Sequence, residues 1–246
     1  MSAGSSNNGE TKGDLTIHVL TVTGILAGMA ALVSVLENKP VNAVLWLLVA
    51  LVIDGIDGPI ARRWLTNSPK PRFDGYILDL VIDYVTCVIV PAAFLWQFKL
   101  VSHGNIGQIA IAAVIGSSAL WFSQTDIESK DHFFRGFPAA WNMVVPTLWV
   151  LDAGTEFNLA VTFSLAVLTL SNIEFAHTLK VTRLRGLNVV STLIWMSAIA
   201  TYSILERDVG SLDRLVILLG PCGLAVSVLD RIFEKRRQIL PSSADL

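Results

Sequence analysis

Apolar runs about as long as a bilayer is thick recur along the whole chain, and two of them carry aspartates. A transmembrane helix needs roughly 20 mostly apolar residues. Measured against that length, the runs give about eight candidate spans, at 15–36, 41–60, 76–97, 105–124, 139–152, 156–175, 187–205 and 213–232. The expected fold is therefore all-α, a polytopic helical bundle integral to a membrane. The fifth run is short and only "DAGTEF" separates it from the sixth, so counts of six or seven compete with eight.

Composition excludes the soluble classes. Of 246 residues 53% are hydrophobic and only 15% charged, with a mean hydropathy of +0.60, as in a polytopic membrane protein. Nothing in the charge pattern suggests a nucleic-acid partner. Cys87 and Cys222 fall in apolar runs, which predicts packing as small hydrophobes and no disulfide framework or cysteine metal site. The polar, Gly/Ser/Asn-rich start "MSAGSSNNGETKGD" lacks the basic beginning of a signal peptide and reads as a disordered segment. The expected division is a cytoplasmic N-terminal segment at 1–14, one membrane domain at 15–232 and a cytoplasmic tail at 233–246.

Basic residues orient these spans. With both termini on one side, that side receives Lys12, Arg62, Arg63, Lys70, Arg72, Lys130, Arg135, Lys180, Arg183, Arg185, Arg231, Lys235, Arg236 and Arg237, and the other only Lys39, Lys99, Arg207 and Arg214. The positive-inside rule makes the first side cytoplasmic, and the clean alternation favours eight spans.

The aspartates Asp54, Asp57, Asp79 and Asp83 lie in "IDGIDGPIARRW" and "FDGYILDLVIDYV", at the cytoplasmic ends of the second and third spans. An aspartate at the centre of a membrane helix costs roughly 2.5 to 3.5 kcal/mol. Asp54 and Asp57 are three residues apart and Asp79 and Asp83 four apart, so each pair shares a helix face. An antiparallel hairpin brings the four carboxylates together. Their mutual repulsion calls for one or two divalent cations, and an all-oxygen ligand set suits Mg²⁺ or Mn²⁺. Metals so held serve phosphoryl transfer. Gly58, Ala61 and Gly75 leave room for a close ligand, and the Arg62 guanidinium fits phosphate oxygens.

These residues resemble the signature of the CDP-alcohol phosphotransferase family, D-x-x-D-G-x-x-A-R followed by G-x-x-x-D-x-x-x-D. The gap between its halves, Arg63 through Asp74, holds twelve residues and is longer than usual in the family. That gap, "FDGYILDLVIDYVT", "FPAAWN" and the eight spans are similar to the bacterial phosphatidylcholine synthase branch.

The resemblance implies transfer of the phosphatidyl group of CDP-diacylglycerol to an alcohol, choline in that branch, with release of CMP. It implies metal binding by Asp54, Asp57, Asp79 and Asp83, a divalent pair of Mn²⁺ or Mg²⁺, Asp83 as the base, and CDP contacts from Gly58, Ala61, Arg62 and Gly75. It further implies a bacterial inner-membrane enzyme with its site on the cytoplasmic side, and a homodimer. Choline, which donates no hydrogen bonds, wants aromatic faces and an oxygen, so Tyr84, Trp141, Asn142 and Glu174 are its candidate contacts. Serine, glycerol phosphate or inositol phosphate are the rival acceptors, though no Lys or Arg lies in the third span to meet an acceptor phosphate. A cation transporter is the rival class; it has no need of the Gly-Ala-Arg interleave.

Plainer readings stand beside these. An intramembrane aspartate can be a helix-to-helix hydrogen bond, and Arg62 a basic flank like Arg63. Gly24 and Gly28 suit helix packing better than a dimer seam. His177 reads as interfacial, and Phe133 and Phe134 carry no assignment.

Overall fold

The computed structural model describes the backbone of residues 10–64, 75–205 and 209–239, and the side chains of 22–56, 75–205 and 209–237. The expected segment 1–14 and tail 233–246 lie partly outside those residues. Eight helices are present among them: α1 Glu10–Leu36, α2 Pro40–Trp64, α3 Gly75–Gln97, α4 Asn105–Phe122, α5 Trp141–Leu151, α6 Thr155–Thr169, α7 Arg185–Leu205 and α8 Ser211–Ile239. The protein is thus an all-α membrane protein. Helices α3, α4, α7 and α8 are long and apolar enough to cross a bilayer, and α1 and α2 carry the apolar stretches Val22–Leu36 and Pro40–Ile56.

The two remaining helices differ from the expected spans. Helix α5 has 11 residues, about 16 Å at 1.5 Å per residue. All of its residues but Trp149 are buried, so protein surrounds it on every side and an apolar sequence needs no lipid-facing stripe. Helix α6 stops at Thr169, short of the expected end at 175. The chain beyond it forms β2 Glu174–Ala176, antiparallel to β1 Phe133–Arg135, with Phe134 opposite Phe175 and Arg135 opposite Glu174. Gly136, at φ 80°, makes this connection: a β-carbon there would sit 2.1 Å from the carbonyl oxygen of Thr169. Its N–H donates to Ile173 O at 2.8 Å, pinning the start of "FPAAWN" against the end of α6.

Within α3, Tyr84–Ile89 is a π-helical turn, where the Val90 N–H reaches Val85 O. Pro91 follows directly and has no N–H for the carbonyl of Cys87, and the wider turn accommodates its ring. Helices α1, α3 and α5 all end on a left-handed residue, Asn38, Lys99 and Asp152. After α1 and α3 the next N–H closes back five residues, Lys39 to Ser34 O and Leu100 to Leu95 O, which satisfies carbonyls otherwise left open.

The core lies where α2, α3, α4 and α5 meet, around Leu47, Val88, Phe94, Val114 and Trp141. Leucines and phenylalanines on the outer faces of α1 and α8, among them Leu26, Leu36, Leu219 and Phe233, are exposed, as lipid contact requires. Cys222 also faces outward, while Cys87 is half-buried; the packing expected for both holds inside the protein only for Cys87.

Candidate metal and phosphate site

Asp54 of α2 and Asp79 and Asp83 of α3 each place a carboxylate oxygen within 4.8 Å of the other two. Helical spacing puts Asp79 and Asp83 one turn apart on one face, and packing of α1 against both α2 and α3 sets the two helices so that Asp54 meets that face. The donor set is entirely carboxylate oxygen, which fits a hard divalent cation such as Mg²⁺ or Mn²⁺. Asp57, Gly58, Ala61 and Arg62 lie on the last turns of α2, and their side chains are outside the described residues. Gly75 opens α3.

An apolar groove of about 580 Å³ lies among α5, α6, α7 and α8. Its wall from α2 is Leu51, one helical turn before Asp54. Asn142, at 2% exposed, lines it from the first turn of α5.

The four candidate choline contacts have unlike surroundings. Tyr84 is half-buried, its hydroxyl donates to Ile115 O at 3.0 Å, and its ring meets Phe122 edge-on. Trp141 is wholly buried and its indole N–H donates to the Ser118 hydroxyl at 3.0 Å. Glu174 is buried as well, but in an ion-pair web. It accepts from Arg231 Nε at 2.7 Å and Lys235 Nζ at 2.5 Å. The Arg231 guanidinium also binds Asp131 and Glu234 and stands 4.4 Å over the Phe133 ring. Burial alone would raise the Glu174 pKa; the hydrogen bonds from Lys235 and Arg231 outweigh it and hold the carboxyl below its usual range. This web ties β2 to α8, and Arg183 paired with Asp230 adds a second tie.

Sequence reasoning missed an aromatic chain that leads away from Tyr84. Phe122 packs on Trp121, Trp121 on Phe134, and Phe134 stacks on His177 with ring centroids 5.1 Å apart. Burial, then the nearby Lys180 charge, lowers the His177 pKa to about 4 against the opposing pull of Glu128, so the ring is neutral. These residues are scattered over four segments, and no local spacing could have linked them.

The family profile described as CDP-alcohol phosphatidyltransferase matches residues 16–228. The chain belongs to that family. Among its relatives, the Phosphatidylcholine synthase of Pseudomonas aeruginosa is 39% identical over 73% of this chain and 75% of its own length. The Phosphatidylcholine synthase of Mesorhizobium japonicum is 39% identical over 88% of this chain and 79% of its own, and that of Borreliella burgdorferi 27% identical over 90% and 95%. As a family member the protein is a membrane-bound transferase, and Asp54, Asp79 and Asp83, which the fold brings together, lie within the matched residues.

Proposed function

We propose that the protein is a phosphatidylcholine synthase, transferring the phosphatidyl group of CDP-diacylglycerol to choline and releasing CMP. The observation that carries this reading is the meeting of three signature carboxylates within 4.8 Å in a chain whose relatives bear that name. Asp54, Asp79 and Asp83, with Asp57 as a fourth, would hold one or two Mn²⁺ or Mg²⁺ ions. A bound divalent cation would neutralise the phosphate oxygens and the charge that develops on them during transfer.

Asp83 takes the proton of the choline hydroxyl. That oxygen bonds to the phosphorus bearing the diacylglycerol, the bond from this phosphorus to the bridging oxygen breaks, and CMP leaves with the electron pair. Gly58, Ala61 and Gly75 allow the cytidine diphosphate to lie close to the backbone, and Arg62 binds its phosphate oxygens. The groove beginning at Leu51 gives an acyl chain an apolar path beside Asp54.

Choline would lie against Tyr84, the aromatic ring next to the base in sequence, with the Asn142 carboxamide as an oxygen partner. Trp141 would support it by fixing α5 to α4, and Glu174 by holding β2 to α8. The basic asymmetry supports a cytoplasmic site in a bacterial inner membrane, with both termini inside. A homodimer would use a surface other than the Gly24 and Gly28 face, which packs inside the fold.

The test is direct. Purified protein with CDP-diacylglycerol, Mn²⁺ and labelled choline should form CMP and labelled phosphatidylcholine in equal amounts, and EDTA should stop both. Glycerol phosphate or inositol phosphate accepted in preference to choline would replace the acceptor while leaving the transferase reading in place.

A further inference from the structure

A polar cavity lies at the other end of the bundle. It measures about 880 Å³ and is enclosed by the turns after α1, α3 and α5 and the starts of α2, α6 and α8. Pro40 lines it, and Asp54 lies fourteen residues further along α2, about 21 Å at 1.5 Å per residue. The cavity is therefore distinct from the carboxylate site.

Its ionisable lining is Lys39, Lys99, Arg214 and Asp152, with the Tyr202 hydroxyl bound to Asp213. Lys39 is paired with Glu37 at 2.7 Å. The side chains of Lys99 and Arg214 have no ion pair among the described residues. Together the two cations can meet the oxygens of one phosphodiester.

A second observation comes from Asn158, 2% exposed in the wall. Its amide nitrogen donates to Leu100 O at 3.0 Å, which fixes the orientation of the group. Its Oδ1 is buried with no partner among the described residues. A buried acceptor calls for a donor, and a phosphate oxygen supplies none. The matching ligand carries both an anionic phosphate and a hydroxyl.

The surroundings indicate where such a ligand comes from. Leu36, beside Asn38, and Leu212 and Leu215, flanking Arg214, are all exposed on the outer surface. Acyl chains can lie along them while a headgroup enters the cavity. The cavity is also built rather than incidental: Gln97 Nε2 donates to Asn38 Oδ1 at 2.7 Å, joining two of its turns, and Lys99 is held at φ 54°, uncommon for a lysine.

We propose that this cavity binds the headgroup of an anionic glycerophospholipid with free hydroxyls, of the phosphatidylglycerol type. Its phosphodiester is met by Lys99 and Arg214, and a headgroup hydroxyl donates to Asn158 Oδ1.

Native mass spectrometry of the full purified chain tests this with short-chain phosphatidylglycerol, short-chain phosphatidylcholine and glycerol phosphate as probes. The wild type should retain one phosphatidylglycerol and hold it about tenfold more tightly than phosphatidylcholine, whose headgroup donates no hydrogen bond. The double variant Lys99→Gln, Arg214→Gln should lose about tenfold in retention, Lys99→Arg with Arg214→Lys should restore it, and Asn158→Leu should erase the preference between the two lipids. Gel filtration and circular dichroism establish that each variant is folded. Equal retention by the folded double variant, or equal binding of the two lipids by the wild type, overturns the proposal. So does glycerol phosphate displacing the lipid, which would make the ligand a soluble polyol phosphate.

Discussion

Gly28 of α1 and Thr86 of α3 are so close that a β-carbon on the glycine would stand 2.6 Å from the Thr86 methyl. Thr86 is buried and its hydroxyl is tied to Ile82 O at 3.0 Å, so it has little freedom to yield. It lies three residues beyond Asp83, and α1 thereby sets the depth of the helix that carries two of the carboxylates. Gly28→Val should cost about 1–3 kcal/mol in stability by overpacking and lower kcat with it. Thermal unfolding and CMP release would check this; a stable, fully active variant would show that α3 is positioned otherwise.

Removing a single carboxylate should separate the roles of Asp54 and Asp83. With Asp83→Asn the shape remains and the proton acceptor is lost, so kcat should fall about 10² to 10⁴-fold. Asp54→Asn should instead raise the Mn²⁺ concentration needed for half-maximal rate. Reduced turnover in both with unaltered metal dependence would place the ions elsewhere.

Tyr84 allows a comparison of ring and hydroxyl. Tyr84→Phe deletes the bond to Ile115 O, about 1 kcal/mol, yet keeps the aromatic face, so the choline KM should hold. Tyr84→Ala removes the face and should raise that KM about tenfold or more, leaving the KM for CDP-diacylglycerol unchanged. Equal rises in both KM values would indicate a damaged fold.

Trp141 should behave as a structural residue. Trp141→Ala opens a cavity in the core and strands the Ser118 hydroxyl, for about 3–5 kcal/mol. Trp141→Phe should recover most of the stability and near-normal choline KM. A large, selective rise in choline KM for Trp141→Phe would assign the indole to the acceptor after all.

His177 predicts a stability that depends on pH. Its folded pKa, about 4, is below the ordinary 6.5, so the native state binds fewer protons than the unfolded chain between those values. The stabilisation is complete above pH 6.5 and is lost as pH falls toward 4. Unfolding temperatures in detergent should therefore drop across that window, and His177→Phe, which keeps the stack on Phe134, should flatten the drop. Glu174 adds to the same trend at lower pH, because its folded pKa is also depressed. An unchanged slope in His177→Phe would assign the window to other groups.

The sequence by itself determined the membrane class and the pairing of the aspartates. Both follow from short-range regularities: apolar length against bilayer thickness, and a helical period that puts Asp79 and Asp83 on one face. The approach of Asp54 to that face rests on α1, which packs against both helices. Tertiary structure decided the rest. Trp141 reads as a possible cage wall until its bond to Ser118, 23 residues away, appears. Glu174 is committed to Arg231 and Lys235, 57 and 61 residues further on, on another helix. Helix α5 looks like a short span because burial by protein and burial by lipid select the same apolar residues. The aromatic chain from Tyr84 to His177 and the cavity around Asn158 likewise join side chains from several elements. A periodic pattern records only which face of a helix avoids water; what stands against that face is set by packing among distant segments.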